Sequence, residues 1–296
     1  MTQLVVQSAL SGLLVGGMYG LVALGLALAF GVLNVLNVAH GELVMIGGYA
    51  AFFLFSEVGV DPLLSLPLVF VILFIFGMGL YQLLFRFIVR FDIETRIKNS
   101  LLISFGLVLI LQAVAVFLFT GDDRTIVTGY SSNALVIGIV RIPWIRLAGL
   151  LLAVVAAFSL EWLLNRTTFG HSIRATSEDW SLAALTGIDV RRVYMIAFAI
   201  SAALAGLAGS MVSLGYSVSP SIGLSWTLKA LIVIVFAGLG SMRGIVVAGM
   251  LLGLIEGLSS VWVGNAYRGV VALVVFLLVL SVRPQGLFGR GSGAHV

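Results

Sequence analysis

The chain contains no cysteine, and only 9% of its 296 residues are charged. The first absence excludes disulfide staples and a cysteine nucleophile. The second excludes an ordinary soluble domain, in which about 25% of residues carry charge. Lysine occurs only at Lys98 and Lys229. No G-x-x-x-x-G-K-[ST] loop can therefore be assembled, and the polypeptide is not expected to cradle ATP itself through a P-loop. No Lys or Arg precedes Arg86, so the basic n-region of a secretory signal is not expected. The basic residues that follow form no run, which argues against nucleic acid as a partner. H-E-x-x-H and G-x-S-x-G are also missing, leaving no motif for metal-assisted or serine hydrolysis and no implied metal or cofactor.

What remains is hydrocarbon: 61% apolar residues and a mean hydropathy of +1.20. Stretches such as 147–164 and 270–282 are apolar nearly throughout, without the alternation of a membrane barrel. The expected fold is all-α, a polytopic helical membrane protein. Apolar runs and turn signals place spans near 4–30, 41–56, 63–85, 99–119, 146–164, 193–214, 227–240, 245–263 and 267–282. Because 41–56 and 227–240 fall short of a straight span of about 20 residues, some are expected to be broken or re-entrant, and the count lies between eight and ten. No long polar linker interrupts the pattern, so residues 1–296 read as one transmembrane domain.

Basic residues in short loops set the orientation. With the N-terminus outside, eleven fall in the cytoplasm, including Arg86, Arg90, Arg96, Lys98, Arg166, Arg174, Arg191, Arg192 and Arg283, against Arg124, Arg141, Arg146 and Arg268 outside. The expectation is an external N-terminus and a cytoplasmic C-terminus.

Small residues recur four apart at Gly12, Gly16 and Gly20, at Ala202 and Gly206, and at Gly249, Gly253 and Gly257. Such rows let backbones approach closely and are expected to pack within the chain, with a subunit interface as the other use. Two Gly-punctuated polar breaks, 31–48 and 238–249, interrupt the hydrocarbon and suggest an internal repeat. The first holds Asn34, Asn37, His40 and Glu42. On helical spacing these polar groups share a face, and on an unwound segment they satisfy freed backbone. Either they cap a helix at a tight turn near the cytoplasmic face, or they line a substrate path. Glu256 lies too deep in its span to reach water, so it is expected to be protonated, paired or facing a cavity. Lys229 is expected to snorkel.

The polar segment 165–192 reads as an amphipathic helix over Ser177–Thr186. Thr176 or Ser177 supplies its cap, Glu178 and Asp179 its acidic first turn, and Gly187 its C-terminal stop. Trp180, Ala184 and Ile188 recur four apart, flanked by Leu185. Its acidic start suits a soluble partner better than an anionic leaflet.

Four segments in order, NVLNVAHGELVMIGGY, TFGHSIRATSEDWSLAALTGIDVRRV with AFAISAALAGLAG, LKALIVIVFAGLGSMRGIVVAGMLLGLIE, and YRGVVALVVFLLVLSVRPQGLFG, resemble the LivH-type permease subunit of bacterial branched-chain amino acid ABC importers. Permeases of urea and short-amide importers resemble the chain similarly. The resemblance implies a bacterial inner-membrane transport subunit, not an enzyme. It implies pairing with a second, homologous permease, cytoplasmic ATP-binding subunits, and an extracytoplasmic binding protein that delivers a small-molecule substrate. The family's coupling loop maps onto 174–187, giving Arg174, Ser177, Glu178, Asp179, Trp180, Ala183, Ala184 and Gly187 as candidates for ATPase coupling. Ala183 and Gly187 keep the spacing of the EAA motif of other ABC permeases, but Ser181 stands where Glu would.

An ion-coupled secondary transporter or channel is the main alternative, running ions past Asn37, His40, Glu42 and Glu256. An intramembrane enzyme would need His40 and Ser241 to meet.

Overall fold

The computed structural model describes residues 1–138, 140–238, 242–283 and 285–288. Its helices are α1 (Thr2–Leu33), α2 (His40–Ser56), α3 (Leu66–Ile88), α4 (Ile93–Phe119), α5 (Trp144–Arg166), α6 (Thr168–Glu178), α7 (Trp180–Leu185), α8 (Val190–Gly215), α9 (Ile222–Ala237), α10 (Met242–Trp262) and α11 (Arg268–Val282). Six of them, α1, α3, α4, α5, α8 and α10, are long and apolar enough to cross a membrane, while α9 and α11 are shorter apolar helices. Among the described residues each of the nine apolar stretches falls largely on a helix, and the chain is a polytopic helical membrane protein. Ser241 and part of the second polar break lie outside the described residues.

Helix starts depart from the apolar runs where a polar cap adds a turn that hydropathy does not see. Asp92 accepts from the Thr95 amide (3.1 Å), so α4 begins at Ile93, and Asp189 accepts from the Arg192 amide (3.1 Å), so α8 begins at Val190. The loop before α5 holds a two-stranded antiparallel hairpin that the apolar pattern does not announce, β1 (Ala134–Ile137) with β2 (Val140–Pro143).

The chain divides into two compact units. One comprises 1–24, 128–158 and 229–296. In it the glycine rows of α1 and α10 meet face to face. A methyl on Gly12 or Gly16 would run into the backbone of Gly253 or Gly249, and one on Gly253 into Gly12 and Gly16. The rows are thus intramolecular packing. Lipid supplies no hydrophobic drive between helices, so close backbone contact, about 0.1–0.2 kcal/mol per atom pair, holds the seam together. The Gln7 side chain pins the hairpin, donating to the Arg141 carbonyl (2.7 Å) and accepting from its amide (2.9 Å). At the end of α9, the amides of Leu287 and Phe288 donate to the last carbonyls, Phe236 (2.9 Å) and Ala237 (2.8 Å).

The other unit comprises 25–127 and 159–228. Its centre is α8, where Gly206 admits the backbone of Gly47 from α2 and Leu73 from α3, and Gly209 admits Val44. A π-helical turn over Tyr81–Phe85 shifts the register of α3. Tyr81 and Phe85 both bury against Phe198 of α8, with ring centroids 6.4 and 4.5 Å away.

Candidate functional site

The first polar break is not a helix face but an unwound segment that ends in a turn. Asn34 takes a left-handed φ of +52° and ends α1, and the chain then runs without helix beside α4 until the turn at 38–39 leads into α2 at His40. Leu33 meets Arg96, Leu36 meets Ser100, Val38 meets Ser104, and Glu42 meets Gln112. The unwound residues themselves meet Ser100 and Ser104, about 6 Å apart at ~1.5 Å per residue, and the ends of α1 and α2 extend the row of contacts to Arg96 and Gln112.

Backbone freed at that depth must be satisfied by protein, and here other helices do it. Ser100 Oγ accepts the Leu36 amide (3.0 Å) and Ser104 Oγ accepts the Val38 amide (3.1 Å). Thr227 of α9 accepts the Gly41 amide (2.8 Å) while its hydroxyl donates to the Val38 carbonyl (2.9 Å). Arg96, 1% exposed, donates through Nη1 to the Leu33 carbonyl (3.0 Å) and the Tyr194 hydroxyl (3.4 Å). Its Nη2 donates to the carbonyls of Val89 (2.7 Å) and Phe91 (3.1 Å). One cation therefore fastens the end of α1 to the turn between α3 and α4, where the negative end of the α1 dipole favours it.

Of the residues expected here, Asn37, His40 and Glu42 are buried, and Asn34 is partly exposed. Asn37 Oδ1 accepts from the Ala39 amide (3.1 Å), closing the turn into α2. Glu42 does not reach back to cap α2. Its Oε1 accepts from Gln112 Nε2 (3.0 Å), and its Oε2 receives no hydrogen bond among the described residues. The carboxyl rests on Gly223, where any side chain would collide with it. Gly223 is the second residue of α9 and Glu42 the third of α2, so two helix N-termini converge on one carboxyl group.

Glu256 belongs to the other unit and forms a cluster of its own. Its Oε2 accepts from the Tyr19 hydroxyl (2.7 Å) and from Lys229 Nζ (3.1 Å), and that ammonium lies 4.1 Å from the Tyr19 ring centroid. Glu256 is thus paired. Lys229 does not snorkel as expected: its ammonium is held by the carboxylate and ring beside it.

The segment 165–187 folds as two helices. Ser177 and Glu178 lie in the last turn of α6, Thr176 is buried, and neither Thr176 nor Ser177 caps anything downstream. Asp179 is the cap of α7: its Oδ1 accepts from the Ser181 hydroxyl (2.7 Å) and the amides of Ser181 (2.8 Å) and Leu182 (3.1 Å). These bonds hold the exposed carboxyl below the usual Asp range, the Ser181 hydroxyl foremost. The expected single helix is therefore broken, since Asp179 is extended (φ −150°, ψ 105°). Gly187 ends α7 at φ +88°, as its type requires. Ala183 faces inward, whereas Trp180, Leu182, Ala184 and Leu185 are exposed, and Arg174 on α6 donates to Asn165 (3.1 Å).

Sequence reasoning missed Arg96, Ser100, Ser104, Gln112, Thr227 and Gly223. The first four had a signal, for they stand at multiples of four along one helix, a polar stripe in an apolar span.

The chain matches the family described as branched-chain amino acid transport system / permease component over residues 8–280. It is 31% identical to the high-affinity branched-chain amino acid transport system permease protein BraD of Pseudomonas aeruginosa, over 96% of this chain and 95% of the relative. It is 29% identical to the corresponding LivH of Escherichia coli K12, with the same coverage. Over 50% of this chain it is also 31% identical to Escherichia coli LivM, of which 34% is covered. No solved structure matches. A polytopic chain aligned almost end to end with these permeases belongs to the branched-chain amino acid transport permease family.

Proposed function

We propose that this chain is one permease subunit of an ATP-driven importer for branched-chain amino acids, a single transmembrane domain working beside a second, homologous permease. The observation that carries the reading is the match over residues 8–280, which takes in both polar clusters and α7. Cytoplasmic ATP-binding subunits supply energy, and an extracytoplasmic binding protein delivers substrate. Asn34, Asn37, His40 and Glu42 in one unit, and Glu256 in the other, contribute to the substrate path. Glu42 gates it by holding or releasing the two helix N-termini. Arg174 and the residues of α6 and α7, Ser177, Glu178, Asp179, Trp180, Ala183, Ala184 and Gly187, receive the ATPase. The stiff, Asp-capped α7 offers exposed Trp180 and Leu185 as apolar anchors and is joined to α8 by a short turn, so a shift of the partner moves a span.

The experiment is uptake of radiolabelled leucine into proteoliposomes holding this chain, the second permease, the ATPase subunits and the loaded binding protein. ATP-dependent accumulation is expected. Trp180→Ala should weaken ATPase capture about thirtyfold, the loss of a ~2 kcal/mol anchor, or uncouple hydrolysis from uptake. Glu42→Ala should lower uptake while the complex still assembles. Accumulation driven by an ion gradient without the ATPase overturns the reading, and uptake of urea but no amino acid moves the chain to the amide branch.

Orientation is tested on the native background, which has no cysteine to remove. With the N-terminus outside, Ser131→Cys should react with an impermeant maleimide from the exterior and Ser177→Cys only from the cytoplasm. Labelling of both from one side refutes that topology.

A further inference from the structure

The Tyr19, Lys229 and Glu256 cluster is a pre-paired charge site among the apolar helices α1, α9 and α10. The glutamate side chain is 8% exposed and the lysine side chain 26%, so the lysine side of the pair is the more open one. Lys229 is the eighth residue of α9 and Glu256 is seven from the end of α10, about 10 Å within each helix at ~1.5 Å per residue. Charges at such depth are tolerated only where they face protein or water. The cluster carries one positive charge, one negative charge and an aromatic face, and those are the charges of an amino acid in reverse.

The geometry points to this ion pair as a recognition site for a zwitterionic α-amino acid. The substrate ammonium takes the place of Lys229 Nζ against Glu256 Oε2 and the Tyr19 ring, and the substrate carboxylate takes Lys229. This rests on the importer reading above and names the chemistry by which the permease itself selects. Exchange of one ion pair for two leaves every charge partnered and the site neutral. A solute bearing only an amine or only a carboxylate would open the pair and leave one buried charge alone, which is strongly unfavourable. Urea and simple amides bring no charge with which to open it. The same cluster would thus admit amino acids and refuse both singly charged analogues and the neutral substrates of the amide branch.

The test uses the complete importer in nanodiscs without binding protein, with binding of radiolabelled leucine as readout and unlabelled leucine, isovalerate, isopentylamine and acetamide as competitors. Leucine should compete, and the other three should not. Lys229→Gln and Glu256→Gln should each weaken binding about ten- to a hundredfold, the loss of one charge-assisted contact. The double variant replaces the ion pair by an amide–amide hydrogen bond, so the helices stay joined and complex yield by size exclusion reports on structure separately. In it, leucine should lose its advantage over the singly charged analogues. Wild-type leucine affinity in the variants, or competition by isopentylamine or isovalerate equal to that of leucine, overturns the site. If the wild-type importer takes up leucine with ATP while these binding results fail, this inference alone falls. If no ATP-driven uptake occurs, the importer reading falls.

Discussion

Arg96→Met is expected to abolish recovery of folded permease, measured as the monodisperse yield from detergent-solubilised membranes and as co-purification with the partner subunits. The guanidinium is the donor for the carbonyls of Leu33, Val89 and Phe91. Methionine fills similar volume but donates nothing, so three acceptors lose their partner at about 1–3 kcal/mol each. A total of ~3 kcal/mol or more is a large part of the margin of a typical domain. Arg96→Lys should fall between, because a single ammonium cannot reproduce the two-pronged fork that serves Leu33 with one nitrogen and the α3–α4 turn with the other. Wild-type yield in the methionine variant would show that the break is not held from α4.

A comparable loss is expected for Gly253→Val, with the opposite sign of cause. Nothing polar is orphaned; instead two backbones are forced apart. The side chain would be driven into the carbonyl of Gly12 and the Cα of Gly16, neither of which can rotate away as a flexible side chain would. Overpacking of this kind costs about 1–3 kcal/mol and more when backbone is struck. Gly79→Ala, in α3, has nothing within 4 Å to meet and should be neutral or stabilising by about 0.4–1 kcal/mol. Thermal denaturation of the two variants in detergent separates them, and equal melting would remove the glycine seam from the stability of the unit.

The spans were legible because an uninterrupted apolar run has one reading at membrane depth, and the glycine rows were legible because a spacing of four sets a face. Partners were less so. Ser100, Ser104 and Gln112 were visible as a stripe on one helix, but nothing local said that the stripe would be spent on the backbone between Leu33 and Glu42. Lys229 illustrates the same limit. From its position it could reach the interface, and only the approach of α1 to α10 brings Tyr19 to Glu256 and gives the ammonium a better place. At 176–179 the segment TSED offers three cap-capable residues, Thr176, Ser177 and Asp179. Propensity cannot choose among them, and the three hydrogen bonds collected by Asp179 do.

The unwound stretch between α1 and α2 also sets an order in which its hydrogen bonds can close. Its amides and carbonyls wait for donors and acceptors encoded later: Arg96 follows Leu33 by 63 positions and Thr227 follows Val38 by 189. At a synthesis rate of about 5–20 residues per second, the first of these leaves the ribosome roughly 3–13 s after its partner and the second roughly 10–40 s after. The bonds that Thr227 accepts from the Gly41 amide and donates to the Val38 carbonyl therefore close only after α9 has been made.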